Sequence, residues 1–193
     1  MNKLIRNFTA LGATTLLATA LTACGNDDDH HSSQVDPVKA ALESYQAQEQ
    51  LVNERLTKFD DLDFNVFTGE QWDRLQESHA ENILVHWPDG HTTEGLDTHI
   101  TDLRGFFVWA PDTRIETHPI RIGQGDYTGV VGVIEGTFTL PMPIGNDQYI
   151  QPTGQAFKLS MVTIGHWTSD GVMDEEWLFW DNQAFYQQIG LGQ

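Results

Sequence analysis

An α+β fold is what this sequence predicts, and two observations predict it. Apolar residues recur with helical spacing only between residues 37 and 109. From Pro111 onward, stretches rich in β-branched and aromatic residues alternate with Gly, Pro, Asn and Asp. Helices followed by a run of strands imply helices packed on one face of an antiparallel sheet. No internal repeat is visible.

The first segment stands outside that fold. Lys3 and Arg6 precede an uncharged apolar run from about Phe8 to Ala20, too short to span a bilayer stably. Leu21-Thr22-Ala23-Cys24 matches the bacterial lipobox, in which the cysteine is acylated and becomes the new N-terminus. Residues 1–23 therefore read as a lipoprotein signal peptide and Cys24 as the lipidation site. Residues 24–35, with Asp27-Asp28-Asp29-His30-His31, read as a polar tether without a large apolar anchor. The expected location is the bacterial cell envelope. Gly25 after the cysteine favours the outer membrane if the host is Gram-negative. Residues 36–193 remain as one domain, long enough to bury a core.

Within that domain, Asp36-Pro37 offers an N-cap acceptor and a first-turn proline. Val38, Leu42, Tyr45, Val52, Leu56 and Phe59 then form one apolar stripe over about six turns, broken at Asp60-Asp61-Leu62-Asp63. Thr68-Gly69-Glu70 opens a short helix carrying Trp72, Leu75 and His79. A strand from Asn82 to Trp87 is stopped by Pro88-Asp89-Gly90. A helix from Leu96 to Trp109 shows Ile100, Leu103, Phe106 and Phe107 on its apolar side. Strands are expected at 114–122, 128–140, 155–167 and 172–181, with turns at Asp126-Tyr127 and Asp170-Gly171. Residues 141–154, with three prolines, are a long loop and a candidate lid. A short helix from Asn182 to about Ile189 ends at Gly190.

Composition narrows the function. The formal net charge is −18, from 10 basic and 28 acidic residues. Loss of Lys3 and Arg6 with the leader takes away two positive charges and leaves −20. Such a domain repels phosphate backbones and anionic headgroups, so no nucleic-acid partner is expected, and membrane contact is expected through the lipid anchor only. Cys24 is the only cysteine, which excludes an intrachain disulfide and thiolate metal sites. Of the eight histidines, no two stand at HxH or HxxxH spacing; only His30-His31 are adjacent. No structured metal site is expected on that ground.

Several local patterns, taken in order, carry a resemblance. They are His86-Trp87-Pro88-Asp89-Gly90, Glu94-Gly95 with the following helix, Ala110-Pro111-Asp112 and Gly136-Thr137-Phe138. The closing set is Asp170-Gly171, Glu175-Glu176-Trp177, Asp181-Asn182 and Gln188-Ile189-Gly190-Leu191. Across about residues 37–192 the chain resembles the SnoaL-like polyketide (ester) cyclases of the nuclear transport factor 2-like fold. The resemblance implies a cone-shaped half-barrel, a bent sheet around a helix with an apolar pocket at its open end. It implies a small hydrophobic ligand and, where there is chemistry, cofactor-free acid–base catalysis by a carboxylate, as in ketosteroid isomerases on this fold. It also allows a homodimer through the convex sheet face. The cyclases place an Asp on the last strand and a His opposite it. Here those positions fall on Leu178 and on Ile164, give or take one residue, so the inherited mechanism does not carry over.

A replacement is sought at the last hairpin. A two-residue turn at Asp170-Gly171 sets His166 opposite Glu175, whereas a three-residue loop sets it opposite Glu176; a one-residue slip changes the face. The candidate catalytic residues are His166, Glu176 (or Glu175) and His86, which lies among Leu84, Val85 and Trp87. Against them stands a wet cross-strand surface pair. Candidate ligand-binding residues are Trp87, Phe106, Trp109, Met142, Trp177 and Trp180, beside Phe157, as flat apolar walls. His79 and His99 are expected on helices in structural or exposed roles, His91 in a solvated loop, and His118 in a strand. Two functions stay open: an envelope-tethered acid–base enzyme, or a non-catalytic lipoprotein that binds a ligand or partner.

Overall fold

Asp36 starts the fold as an N-cap: its side chain accepts from the Val38 N–H at 2.9 Å, and Pro37 opens α1, Pro37–Asp61. The structure, a computed structural model, describes residues 36–192. The signal peptide, Cys24 and the tether lie outside the described residues. None of the described helices is long and apolar enough to cross a membrane.

The apolar stripe of α1 divides into two. Leu56 and Phe59 are buried and Val52 half-buried, while Val38, Leu42 and Tyr45 are exposed. Only the second half of the helix packs on the core. Nor does it stop at the acidic run. It continues as a π-helical turn, Leu62–Phe67, stapled by Thr68, whose hydroxyl donates to the Asp63 carbonyl at 2.8 Å. The wider turn brings Asp63, Val66 and Phe67 inward. A 3-10 helix, Trp72–Glu77, leads directly into β1, His79–His86, so His79 begins a strand rather than ending a helix.

After β2 (Thr92–Glu94) comes α2, Leu96–Trp109, with the bounds its periodicity predicts. The expected strand 114–122 is two pieces, β3 (Arg114–Ile115) and β4 (Ile120–Gln124). The break falls at His118-Pro119, where proline lacks the N–H a ladder needs. Next are β5 (Tyr127–Thr137), a small hairpin β6 (Met142–Pro143) and β7 (Tyr149–Ile150), β8 (Ala156–Trp167) and β9 (Met173–Phe179). The long proline loop thus contains its own two-stranded ladder. The last helix, α3 (Asn182–Gln188), is capped by Asp181, which accepts from the Ala184 N–H at 2.9 Å.

The main sheet runs β2-β1-β9-β8-β5-β3, with β4 also on β5. One pairing corrects the antiparallel expectation: β1 is parallel to β9. The 3-10 helix delivers β1 beside the β8–β9 turn, where the Ser78 carbonyl accepts from the Met173 N–H at 2.7 Å, so both strands leave from the same end. The sheet is mixed and curved, with α1 and α2 on its inner face. Inward residues include Ile83, Val85, Met173 and Trp167, packed under Phe59.

The β8–β9 connection selects one of the two expected registers, His166 opposite Glu175, but reaches it without the expected two-residue turn. Thr168 and Val172 close a three-residue loop with Gly171 at φ +77°, a conformation that favours glycine. A bulge between His166 and Trp167 then absorbs one residue, so beyond it His166 stands opposite Glu175.

Candidate active site

Between α2, the π-helical turn and the inner face of the sheet lies a cavity. The volume open to the centre of a water molecule is about 40 Å³, with Leu62, Phe67, Leu103, Ile134, Met161 and Leu178 among its walls. Three carboxylate or imidazole groups meet in it. Glu176 of β9, His79 of β1 and His99 of α2 are all buried. The Glu176 Oε2 atom lies 3.3 Å from His99 Nε2 and 3.9 Å from His79 Nε2. Neither contact has hydrogen-bond geometry, and both Glu176 Oε2 and His79 Nε2 are buried without a hydrogen-bond partner. Burial pushes the Glu176 carboxyl up, but the two imidazoles outweigh it and hold it well below the usual carboxylate range.

Local packing fixes the His79 tautomer. Its Nδ1 contacts Ser78 Oγ at 2.9 Å and the Leu75 carbonyl at 3.3 Å. The Ser78 hydroxyl itself donates to Leu75 O, so the ring nitrogen must be the donor there. That leaves Nε2, buried and without a hydrogen-bond partner, facing the cavity.

Asp63 is the second carboxylate in the wall. Its Oδ2 lies 2.7 Å from His118 Nε2, and His118 Nδ1 lies 2.8 Å from Asp60 Oδ1. His118 is almost fully enclosed, and Asp60 at the outer end also meets Arg121 at 3.2 Å. With both ring nitrogens against carboxylates, three groups share the protons of one relay running from cavity to surface. Burial raises the Asp63 carboxyl above its ordinary value despite the His118 bond that opposes it, and the nearby Glu176 charge adds to the rise. For His118, burial acts downward and the two carboxylates prevail, so its pKa is raised.

Trp87, Phe106 and Trp180 close the aromatic side. Trp180 meets Trp87 edge-on at 6.3 Å and Phe106 at 6.2 Å. Of the residues singled out from sequence, the structure brings these three and Glu176 into the cavity. Trp109 is buried instead among Phe138, Phe157 and Phe185, and Met142 packs on the core from β6; neither lines the cavity.

His166, His86 and Trp177 lie on the outer face, because they alternate with the inward residues of their strands. His166 pairs with Asp174 at 2.6 Å and packs against Tyr127. His86 pairs with Glu175 at 2.8 Å and stacks on Trp177, rings 5.1 Å apart and 5° from parallel. His91 meets Asp89 in the exposed loop after β1. At the position of the cyclase Asp, Leu178 does face the cavity, and its cross-strand partner is Thr163 rather than Ile164.

Sequence reasoning missed His79, His99 and Asp63 as cavity groups, and His118 behind Asp63. His99 had a signal: it precedes Leu103 and Phe106 by four and seven, on the same helical stripe. Asp63 and His118 had none, since a π turn and a proline break orient them.

The comparisons agree with the fold. The family model described as SnoaL-like polyketide cyclase matches residues 63–189. Among solved structures, a candidate SnoaL-like polyketide cyclase from Jannaschia sp. CCS1 is 20% identical with a TM-score of 0.61, over 75% of this chain and 94% of that one. IdmH of Streptomyces antibioticus, a candidate polyketide cyclase, is 20% identical with a TM-score of 0.58, over 72% and 98%. A Catenulispora acidiphila protein with a ketosteroid isomerase-like fold, solved in complex with trimethylamine, is 16% identical with a TM-score of 0.51, over 65% and 87%. Likeness at these identities shows the fold alone. A search of curated proteins found no match.

Proposed function

The chain belongs to the SnoaL-like polyketide cyclase family, and on that premise we propose that its cavity binds a small, largely apolar molecule and moves a proton on it. The observation that carries this reading is the Asp63–His118–Asp60 relay, which ends on the cavity wall. Asp63 takes the proton from a carbon next to a carbonyl, giving an enolate and a carboxylic acid, and returns it to the product. A carboxyl whose pKa is raised by an apolar site is suited to both halves of that cycle. His118 and Asp60 hold its orientation and connect it to solvent.

The cavity as folded has room for a few waters only. A ligand must therefore displace part of the Trp87, Phe106 and Trp180 wall, which supports planar, apolar substrates. Lys3, Arg6 and the lipobox at Cys24 support a lipid-anchored domain at the cell envelope, with residues 24–35 as spacer.

The test is exchange of α-protons for deuterium on a panel of β-keto esters in D2O, followed by NMR. Exchange above buffer is expected for the wild type and for His86→Ala, and its loss in Asp63→Asn. A second reading, ligand or partner binding without catalysis, is favoured by one observation: Leu178 and Ile164, where the resemblance implies the cyclase Asp and His, carry no ionisable group. No exchange on any substrate, with Trp fluorescence still quenched by the same esters, would select it.

A further inference from the structure

We propose that His79, His99 and Glu176 form a binding site for a divalent transition-metal ion, zinc first among them, with an open coordination position on the cavity. One donor atom from each residue lies within 4.8 Å of the other two. The three come from β1, α2 and β9, so the site exists only in the folded chain and no local spacing in the sequence announces it.

The chemistry of the donors supports a cation. The His79 Nδ1 proton is committed to Ser78 and Leu75, the backing that metal-ligating histidines usually have on their other nitrogen. Its Nε2 then faces the Glu176 carboxylate at 3.9 Å, and neither atom has a hydrogen-bond partner in this buried site. Two buried polar atoms that converge without a hydrogen-bond partner are suited to sharing a cation. Zinc–ligand bonds of about 2.0–2.1 Å put donors in a tetrahedral site about 3.3 Å apart. The Glu176–His99 separation is 3.3 Å, Glu176–His79 is 3.9 Å and the third pair lies within 4.8 Å, so the set is somewhat wider than a zinc-bound one and closes by inward movement of its donors. Two imidazoles and one carboxylate suit zinc, and three protein ligands leave a fourth position for water or substrate oxygen. Leu103, Met161 and Leu178 around it restrict solvent. This site does not depend on the role given to Asp63.

The experiment uses the full chain with Cys24→Ser, His30→Ala and His31→Ala, which removes the thiol and the tether histidines as competing ligands. After chelator treatment, ZnCl2 is titrated by calorimetry and CoCl2 by visible absorption. One equivalent of zinc is expected, with the intense cobalt bands of a four-coordinate site. Affinity should fall at least about 100-fold in His79→Gln, His99→Gln and Glu176→Gln. Asp63→Asn should still bind, even if it exchanges no α-protons, which separates this proposal from the one above. Circular dichroism establishes that each variant is folded. For a variant that is not, cobalt bands in the folded parent remain decisive, since imidazole and carboxylate ligation give a spectrum distinct from aqueous cobalt. Absence of stoichiometric binding by the parent, or binding undiminished in all folded ligand variants, would overturn the proposal and leave the three groups as a proton-sharing cluster.

Discussion

Glu175 and Glu176 are neighbours on β9, each near a histidine, and they occupy opposite faces of the same sheet. The outer pair has the better bond, Glu175 to His86 at 2.8 Å, but its side chains are 35% and 32% exposed. The inner contact, Glu176 to His99, is longer at 3.3 Å, with side chains 5% and 3% exposed. Water competes for the outer charges and screens them. Bulk water screens the inner ones far less, so each inner charge depends on the groups that enclose it. Distance alone would rank these pairs in the wrong order; burial decides which of them the fold has to satisfy and which can do chemistry.

The largest break in that comparison should come from the inner relay. His118→Ala leaves Asp63 as an uncompensated buried carboxylate, and a loss of about 3–5 kcal/mol is expected in urea denaturation at neutral pH. The pH dependence has a fixed sign. The folded pKa of His118 is raised, so its contribution is complete below the unfolded value of about 6.5 and is lost as pH rises through the folded value. Asp63, also raised, acts oppositely: it costs stability once pH exceeds its unfolded value, about 3.9, so Asp63→Asn should relieve part of that cost. Thermal melts across pH 5–10 check this. A wild-type curve that parallels that of His118→Gln on the alkaline side would sink the relay as a charged unit.

A smaller effect tests packing across the same two faces. A Cβ at Gly165 would sit 2.1 Å from Met173 Sδ and 3.5 Å from the Phe59 ring, and both neighbours are fully buried. Gly165→Ala should cost about 1–3 kcal/mol through overpacking. Gly129, on the paired strand, would meet Ile122 at 3.3 Å, but Ile122 is exposed and free to give. Gly129→Ala should stay within about 0.5 kcal/mol of wild type. Equal losses at the two positions, measured by chemical denaturation, would mean that the outer face is packed as tightly as the core.

What could be read from sequence follows the range of the forces involved. The Asp36 and Asp181 caps and the bounds of α2 depend on residues within a turn or two, and the pattern there was sufficient. Glu176 was one of two candidates on β9, and sharing a face with Leu178 is what turns it inward. Its histidines could not be placed. His166 was the near neighbour in sequence, but it alternates with inward Gly165 and Trp167 and so faces outward, while His79 arrives through the parallel β1–β9 pairing, joined over more than ninety residues. Asp63 faces inward only because α1 widens into a π turn after an acidic run that reads as a helix end. The elements were local and legible; the site is assembled by register, bulge and crossover, and these are tertiary.

The smallest expected effect is on the outer face and is the most discriminating about what that face does. A double-mutant cycle on His86→Ala and Glu175→Gln should give a coupling of about 0.2–1 kcal/mol, as exposed pairs do. Salt should weaken it further, because a Debye length of about 8 Å at physiological ionic strength already screens exposed charges. The stack of His86 on Trp177 adds orientation but not enclosure, since the ring remains about a third exposed. A coupling of 2 kcal/mol or more, insensitive to salt, could arise only if something excludes water from this face in solution. Exposed Tyr127 and Phe179 border it, and a second copy of the chain would bury all of them together. The cycle should therefore be measured at two protein concentrations. A coupling that stays small at both keeps the outer pairs as solvated surface, whereas one that grows with concentration would make the outer face, and not the cavity, the place where Trp177 acts.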